Sequence, residues 1–200
     1  MNVSPLFNQR VLVVNQKAKI IEITNQYSVF DADGNVVAHV NEVGQSKAKK
    51  LLRMVSSVDQ FMTHKLEISD ANNAVVMTLT RPAKILKSTV IVSDPAGSEL
   101  GRIVQDNVFG KIRFALEVGG KQIGAIKAEN WRAWDFAIEN ADSREVARIT
   151  KQFAGLAKAI FTTADNYLVD IHEDLSQPLH ALVVAAALTV DTALKQDSKL

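Results

Sequence analysis

The sequence predicts a mainly β fold, a closed antiparallel β-barrel around a buried hydrophobic C-terminal α-helix, with residues 1–200 forming one domain. Three observations predict it. One pattern recurs five times along the middle of the chain: an alternating apolar run, a polar turn with Asp, Asn or Gly, and a second apolar run. The second runs carry small residues near their ends. After the last copy comes a helix-length segment that is apolar all round. On this reading the barrel covers about residues 8–176 and the central helix about 178–194.

The first segment, Met1 to Arg10, has no basic stretch followed by a long apolar run, so it is expected to carry no signal peptide, and the mature chain is expected to begin near residue 1. Asn2 stands where N-myristoylation needs Gly. The hairpins then follow in order. They run from Val29 to Val40, Ile68 to Leu79, Ile91 to Ile103, Leu116 to Ile126 and Ile138 to Ile149. Asp33-Gly34 and Gly119-Gly120 are expected to supply the positive φ that tight hairpin turns demand. The closing apolar residues Leu79, Ile103, Ile126 and Ile149 are spaced by 24, 23 and 23 positions, a regularity that favours closure into a barrel with no edge strand left over.

Ala38, Gly101, Gly124 and Ala147 each stand two residues before the end of a second run. Small residues in strands mark the close approach of another backbone, so these positions predict a bulky filler inside the barrel. The filler is expected after the strand-like Tyr167–Ile171. Pro178 suits the first turn of a helix, and Leu179 to Leu194 is apolar over its middle. Sixteen residues at about 1.5 Å each span roughly 24 Å, short of a hydrocarbon core of ~30 Å, and His180 and Asp191 lie near the ends. A helix buried in a water-soluble cytoplasmic barrel is therefore expected rather than a membrane span.

Composition narrows the function classes. With 23 Lys and Arg against 22 Asp and Glu, the net charge of +1 gives no global field for a polyanion, and no nucleic-acid partner is expected. The absence of cysteine removes disulfides, thiolate metal sites, Cys nucleophiles and S-acyl anchors. No nucleophile elbow, zinc-protease helix, phosphate loop or dinucleotide fingerprint is present, so no catalytic residue is designated. His39, His64, His172 and His180 show no metal-ligand spacing. Nothing designates a protein partner or an oligomeric state.

The stretch from Arg148 to Tyr167, with its run Phe161-Thr162-Thr163-Ala164-Asp165-Asn166-Tyr167, followed by Asp174-Leu175 and the apolar helix, resembles the C-terminal signature of the phospholipid scramblase family. Thr80-Arg81-Pro82, Asp94-Pro95-Ala96-Gly97 with Gly101, and Trp134-Asp135-Phe136 also match that family, and the likeness runs from about Val11 to Leu194. The resemblance implies the fold shared with the Tubby C-terminal domain and the LURP-one-related proteins, a twelve-stranded barrel around a hydrophobic helix. It implies phospholipid association, with movement of lipid between leaflets as the family's activity. The Pro-rich tail and palmitoylated cysteines of the animal members are not matched here. The alternatives are a non-catalytic Tubby-like scaffold for a protein or an anionic ligand, and a hydrolase assembled from distant residues.

For calcium, the only cofactor the resemblance raises, Asp165 and Asp174 match acidic positions of the family's proposed segment, while Thr163 and Ser176 replace two others. A calcium ion takes six to eight oxygen ligands. No specific micromolar binding is expected, and Asp165 and Asp174 are the metal candidates, with Asp170, His172 and Asp174 expected on one face of an extended strand. For lipid, Lys47, Lys49, Lys50 and Arg53 lie in a segment, residues 46–58, whose apolar residues recur at helical spacing. A basic amphipathic segment suits an anionic membrane surface. Trp131 is a candidate interfacial anchor, whereas Trp134 reads as a strand core residue.

Overall fold

The computed structural model describes residues 4–16, 26–44, 63–83, 88–106, 113–130, 135–151 and 166–197, giving the backbone alone for residues 16, 26, 129, 130 and 190–197. Twelve strands follow in order: β1 (Val11–Gln16), β2 (Gln26–Phe30), β3 (Val36–Val43), β4 (His64–Asp70), β5 (Val75–Arg81), β6 (Thr89–Ser93), β7 (Glu99–Gln105), β8 (Arg113–Val118), β9 (Lys121–Asn130), β10 (Asp135–Asn140), β11 (Glu145–Thr150) and β12 (Asn166–Ile171). Each pairs antiparallel with its neighbours in sequence, and β1 closes the barrel on β12 with Val13 opposite Leu168. The mainly β closed barrel is thus present, its five expected hairpins being β2–β3, β4–β5, β6–β7, β8–β9 and β10–β11.

The tight turns are built differently from the simple expectation. In the first, only Gly34 takes positive φ (85°), and Asp31 organises the rest. Its Oδ1 accepts from the backbone N–H of Asp33 and Asn35, while Gly34 N–H donates to Asp31 O. Burial works to raise the Asp31 carboxyl, but the hydrogen bonds from Asn35, Asp33 and Gly34 outweigh it and hold the group below its ordinary value. The same device recurs with Asp70 and Asn73 (φ 64°), with Asp94 and Gly97 (φ 88°), and with Asn140 and Ser143 (φ 59°). A turn followed by a left-handed residue is a standard hairpin loop, and Asp or Asn at its start satisfies the backbone donors. The fifth turn, Gly119-Gly120, has positive φ at both residues, as expected.

Just inside every turn the pairing slips by one residue. Val29 faces Ala38 but Phe30 faces Val36, leaving Val37 as a bulge, and Val76, Leu100, Ile123 and Val146 are left over in the same way. A bulge bends its strand and sharpens the local twist, which curls a sheet toward closure. The closing residues Leu79, Ile103, Ile126 and Ile149 all lie in the core at 3% exposure or less.

A helix, α1 (Leu179–Asp197), fills the lumen, starting one residue after Pro178 and running three residues past the expected end. Helical bonding begins with His180 N–H donating to Ser176 O and Leu182 N–H to Pro178 O. The extension through Lys195, Gln196 and Asp197 uses polar residues that the apolar pattern passes over, although Lys and Gln form helix well. Ala181 to Leu188 are each at most 3% exposed, so this stretch of the helix is enclosed on every side. Before β1, a short 3₁₀ turn at Pro5–Asn8 sets Leu6 fully into the core, with Ser4 Oγ accepting from Leu6 N–H.

Of the four small residues, Gly101 and Gly124 face the helix. A Cβ on Gly101 would lie 2.6 Å from Glu117 O and 3.1 Å from Leu182 Cδ1. One on Gly124 would lie 2.5 Å from Glu139 O and 3.5 Å from Leu179 Cδ1. At both positions a neighbouring strand's carbonyl oxygen leaves no room for a Cβ, and the helix adds a tight contact at Gly101 and an ordinary one at Gly124.

Candidate functional site

The meander gives the barrel two unlike ends. The five tight turns share one end with the 3₁₀ turn and the start of α1. The longer connections all leave from the other, where the lining of the lumen changes character. Interior residues follow each other at every second position. On β3 they read Ala38, Val40 and Glu42, on β4 Ile68, Leu66 and His64, on β5 Met77, Leu79 and Arg81, and on β7 Gly101, Ile103 and Gln105. Apolar residues thus give way to a polar layer at the connection end.

Burial makes that layer consequential. Glu42 and His64 have side-chain exposures of only 2% and 12%, and Glu42 Oε1 lies 2.8 Å from His64 Nδ1. His64 stands opposite Arg81, which is 8% exposed. Gln105 Oε1 accepts from Ser88 N–H at 3.0 Å, while Gln105 N–H donates to Ser88 O. A buried charged or polar group is strongly unfavourable unless paired, and within this layer Glu42 meets His64 and Gln105 meets Ser88. On the helix, Thr189 is buried at 5% and turns its hydroxyl onto Ala185 O and Ala186 O. Among the described residues, no group of three His, Asp or Glu side chains is placed to hold a metal ion.

The turn end carries exposed ion pairs and one buried imidazole. Arg10 reaches Asp174 at 2.8 Å and Arg144 reaches Glu173 at 2.8 Å there, while Arg148, in the middle of β11, bridges Glu145 at the turn end and Asp135 at the connection end. The hydrogen bond from Arg148 holds Glu145 below its ordinary pKa, and the same bond raises that of Arg148. His180 packs edge-on against Phe7 with ring centroids 5.5 Å apart. Its Nε2 is buried with no hydrogen-bond partner, and desolvation lowers its pKa although Asp174 pulls the other way.

Of the residues singled out from sequence, Lys47, Lys49, Lys50 and Arg53 lie outside the described residues, in the connection between β3 and β4. Asp165, Trp131 and Trp134 also lie outside them. Asp174 is exposed and engaged by Arg10. The expected common face of Asp170, His172 and Asp174 does not form, because β12 stops at Ile171. Asp170 pairs across to Val11 and Arg148, His172 sits 3.9 Å from Glu145, and Asp174 turns to Arg10. The polar layer of Glu42, His64 and Arg81 is the feature that sequence reasoning missed. Its signal was a phase, since each of the three continues the inward register of its strand.

Comparison with known proteins places this architecture. The model of the Scramblase family matches residues 1–194. A phospholipid scramblase family protein of Schizosaccharomyces pombe is 23% identical over 185 residues, covering 83% of this chain and 47% of the relative. The Altered inheritance rate of mitochondria protein 25 of Saccharomyces cerevisiae is 21% identical over 195 residues, covering 82% of this chain and 59% of the relative. The chain therefore spans about half the length of these curated relatives. An X-ray structure of an Arabidopsis thaliana protein shares the fold, with TM-score 0.50 and 12% identity over 90% of this chain and 91% of that one. Among the described residues no helix is long and apolar enough to cross a membrane. A family match over nearly the whole length, joined to the closed barrel and its enclosed helix, means that this chain belongs to the scramblase family.

Proposed function

We propose that this protein is a scramblase-like phospholipid-associating protein that engages the cytoplasmic face of a membrane peripherally and handles lipid without covalent chemistry. The observation that carries the reading is the family match over residues 1–194. The fold bears on how lipid is met. The lumen is filled by α1, whose residues 181 to 189 are buried, so lipid is met on the outer surface of the barrel. Lys47, Lys49, Lys50 and Arg53 supply four cations on one connection. At about 1 kcal/mol per cation near an anionic surface, less the cost of ordering, they support reversible attachment but not a permanent anchor.

Cosedimentation with vesicles tests this. Binding is expected to vesicles containing anionic lipid, to be weak with neutral ones, to reverse with salt and to fall when the four residues become Gln. Absence of binding to every vesicle composition refutes the reading and favours a protein-binding scaffold.

A further inference from the structure

The segment before β1 is seated on the turn end of the barrel by few contacts. Leu6 is fully buried and Phe7 packs half-buried against the core, whereas Pro5, Asn8 and Arg10 are exposed. Among the described residues, the hydrogen bonds of residues 4–9 close on the segment itself. Phe7 N–H donates to Ser4 O, Leu6 N–H to Ser4 Oγ and Gln9 Nε2–H to Pro5 O. Bonding to the barrel begins only beyond it, where Ile171 N–H donates to Arg10 O. Two apolar side chains and the Arg10–Asp174 pair therefore hold the segment, and an ion pair this exposed contributes little. A segment with few buried contacts opens at a fraction of the free energy that unfolds the whole domain.

Beneath the segment lies His180. Its ring meets Phe7 edge-on at 75°, and its buried Nε2 has no hydrogen-bond partner. The residue stands in the first turn of α1, where the helix dipole opposes a positive charge. Residues 4–9 carry no titratable side chain. Asp174 is the charge that acts on the ring, and Arg10 already engages it. Glu173 is bound by Arg144, and Glu145 by Arg148 with His172 beside it. The strands β6, β7, β9 and β12, which pack along α1, turn Val92, Gly101, Gly124 and Ile171 inward at this end. An imidazolium formed here meets neither water nor an acceptor at Nε2, whereas lifting the segment admits water to it.

We propose that residues 4–9 form an acid-released latch on the turn end of the barrel, with His180 as its sensor: protonation of the imidazole lifts Leu6 and Phe7 off their seat and exposes both. The latch is independent of the phospholipid reading. The open form binds a proton with the ordinary affinity of a solvated imidazole and the closed form more weakly. Opening therefore increases as pH falls below about 6.5, by up to about tenfold per pH unit, until the closed form titrates as well.

Thiol trapping tests this in a chain that has no cysteine of its own. Leu6→Cys reports opening of the segment, and Leu12→Cys, at a position 1% exposed on β1, reports unfolding of the barrel. Each is modified with a dipyridyl disulfide, which reacts with thiols in acid, and the rate is divided by that of free cysteine at the same pH. Leu6→Cys is expected to react about tenfold or more faster than Leu12→Cys, and its relative rate to rise about tenfold between about pH 7 and about pH 5. Adding His180→Leu or His180→Gln is expected to abolish the rise. Equal rates at the two cysteines, a rise of less than about twofold, or a rise that persists in a folded His180 variant overturns the latch. The unsubstituted chain gives a second reading, free of any loss of seating caused by Leu6→Cys. Amide exchange at Phe7, corrected for its intrinsic rate, is expected to lose about tenfold in protection over the same range, and unchanged protection overturns the latch.

Discussion

Replacing Gly101 with Ala tests how tightly the barrel grips its helix. The added methyl would sit 2.6 Å from Glu117 O, and 3.1 and 3.2 Å from the two δ carbons of Leu182. Leucine δ carbons can rotate away, whereas Glu117 O belongs to the β8 backbone and retreats only if β7 and β8 part by about half an ångström. Overpacking of this kind costs about 1–3 kcal/mol, more than the gain of under 1 kcal/mol from burying one methyl. For a domain of this size, each kcal/mol lowers Tm by about 2–4 °C, so a fall of roughly 3–10 °C is expected by calorimetry. Leu182→Ala, at a fully buried position, is expected to cost about 2–5 kcal/mol alone. The double variant should lose less than the sum, because the new methyl partly occupies the vacated space, yet the Glu117 contact remains. A Gly101→Ala protein melting within about 1 °C of the parent refutes the packing argument. Strict additivity of the two changes would show that strand and helix do not meet at this point.

Three further outcomes follow from other contacts. Desolvation lowers the His180 pKa, so the unfolded chain binds more protons below about pH 6.5; stability is full above that value and declines as pH falls toward the folded pKa, with a slope of at most about 1.4 kcal/mol per pH unit. His180→Leu should flatten urea-derived stability between about pH 7 and 5 relative to the parent, and parallel curves would contradict the burial argument. Ser143 holds a left-handed φ of 59°, a conformation that is strained for Ser and free for Gly, so Ser143→Gly should raise stability by about 0.5–1 kcal/mol; a lower denaturation midpoint would contradict it. Titration calorimetry should find no saturable micromolar calcium binding, since Asp174 already serves Arg10, and binding abolished by Asp174→Ala would reverse that reading.

The hairpins were legible because two local signals coincide in each, alternation in the strands and a polar break between them. The bulges were not. The extra residues Val37, Val76, Leu100, Ile123 and Val146 are apolar, and an apolar residue beside an apolar neighbour blurs alternation without announcing a slipped register. Reading Asp33-Gly34 as the turn captured the glycine but missed Asp31, whose role depends on hydrogen bonds reaching two and four residues ahead. The helix was legible from its apolar circumference, whereas its last three residues were not, because nothing apolar marks them. Glu42, His64 and Arg81 escaped notice for a different reason. Each is an ordinary polar residue near the end of a strand; pairing of β3, β4 and β5 sets them side by side, and only closure of the sheet encloses them.

The enclosed helix has a consequence for how such a chain can change length. A hairpin is the unit of addition here, bringing two strands and one bulge, so the circumference changes only in steps of two strands. An α-helix, by contrast, has one fixed girth of about 10–12 Å with its side chains. Ten strands would squeeze that cylinder and fourteen would leave a gap around it that neither water nor the small side chains of Ala185, Ala186 and Ala187 could fill well. Insertions and deletions are therefore expected in the loops between hairpins, all on the single rim from which those loops emerge, and not within the strands.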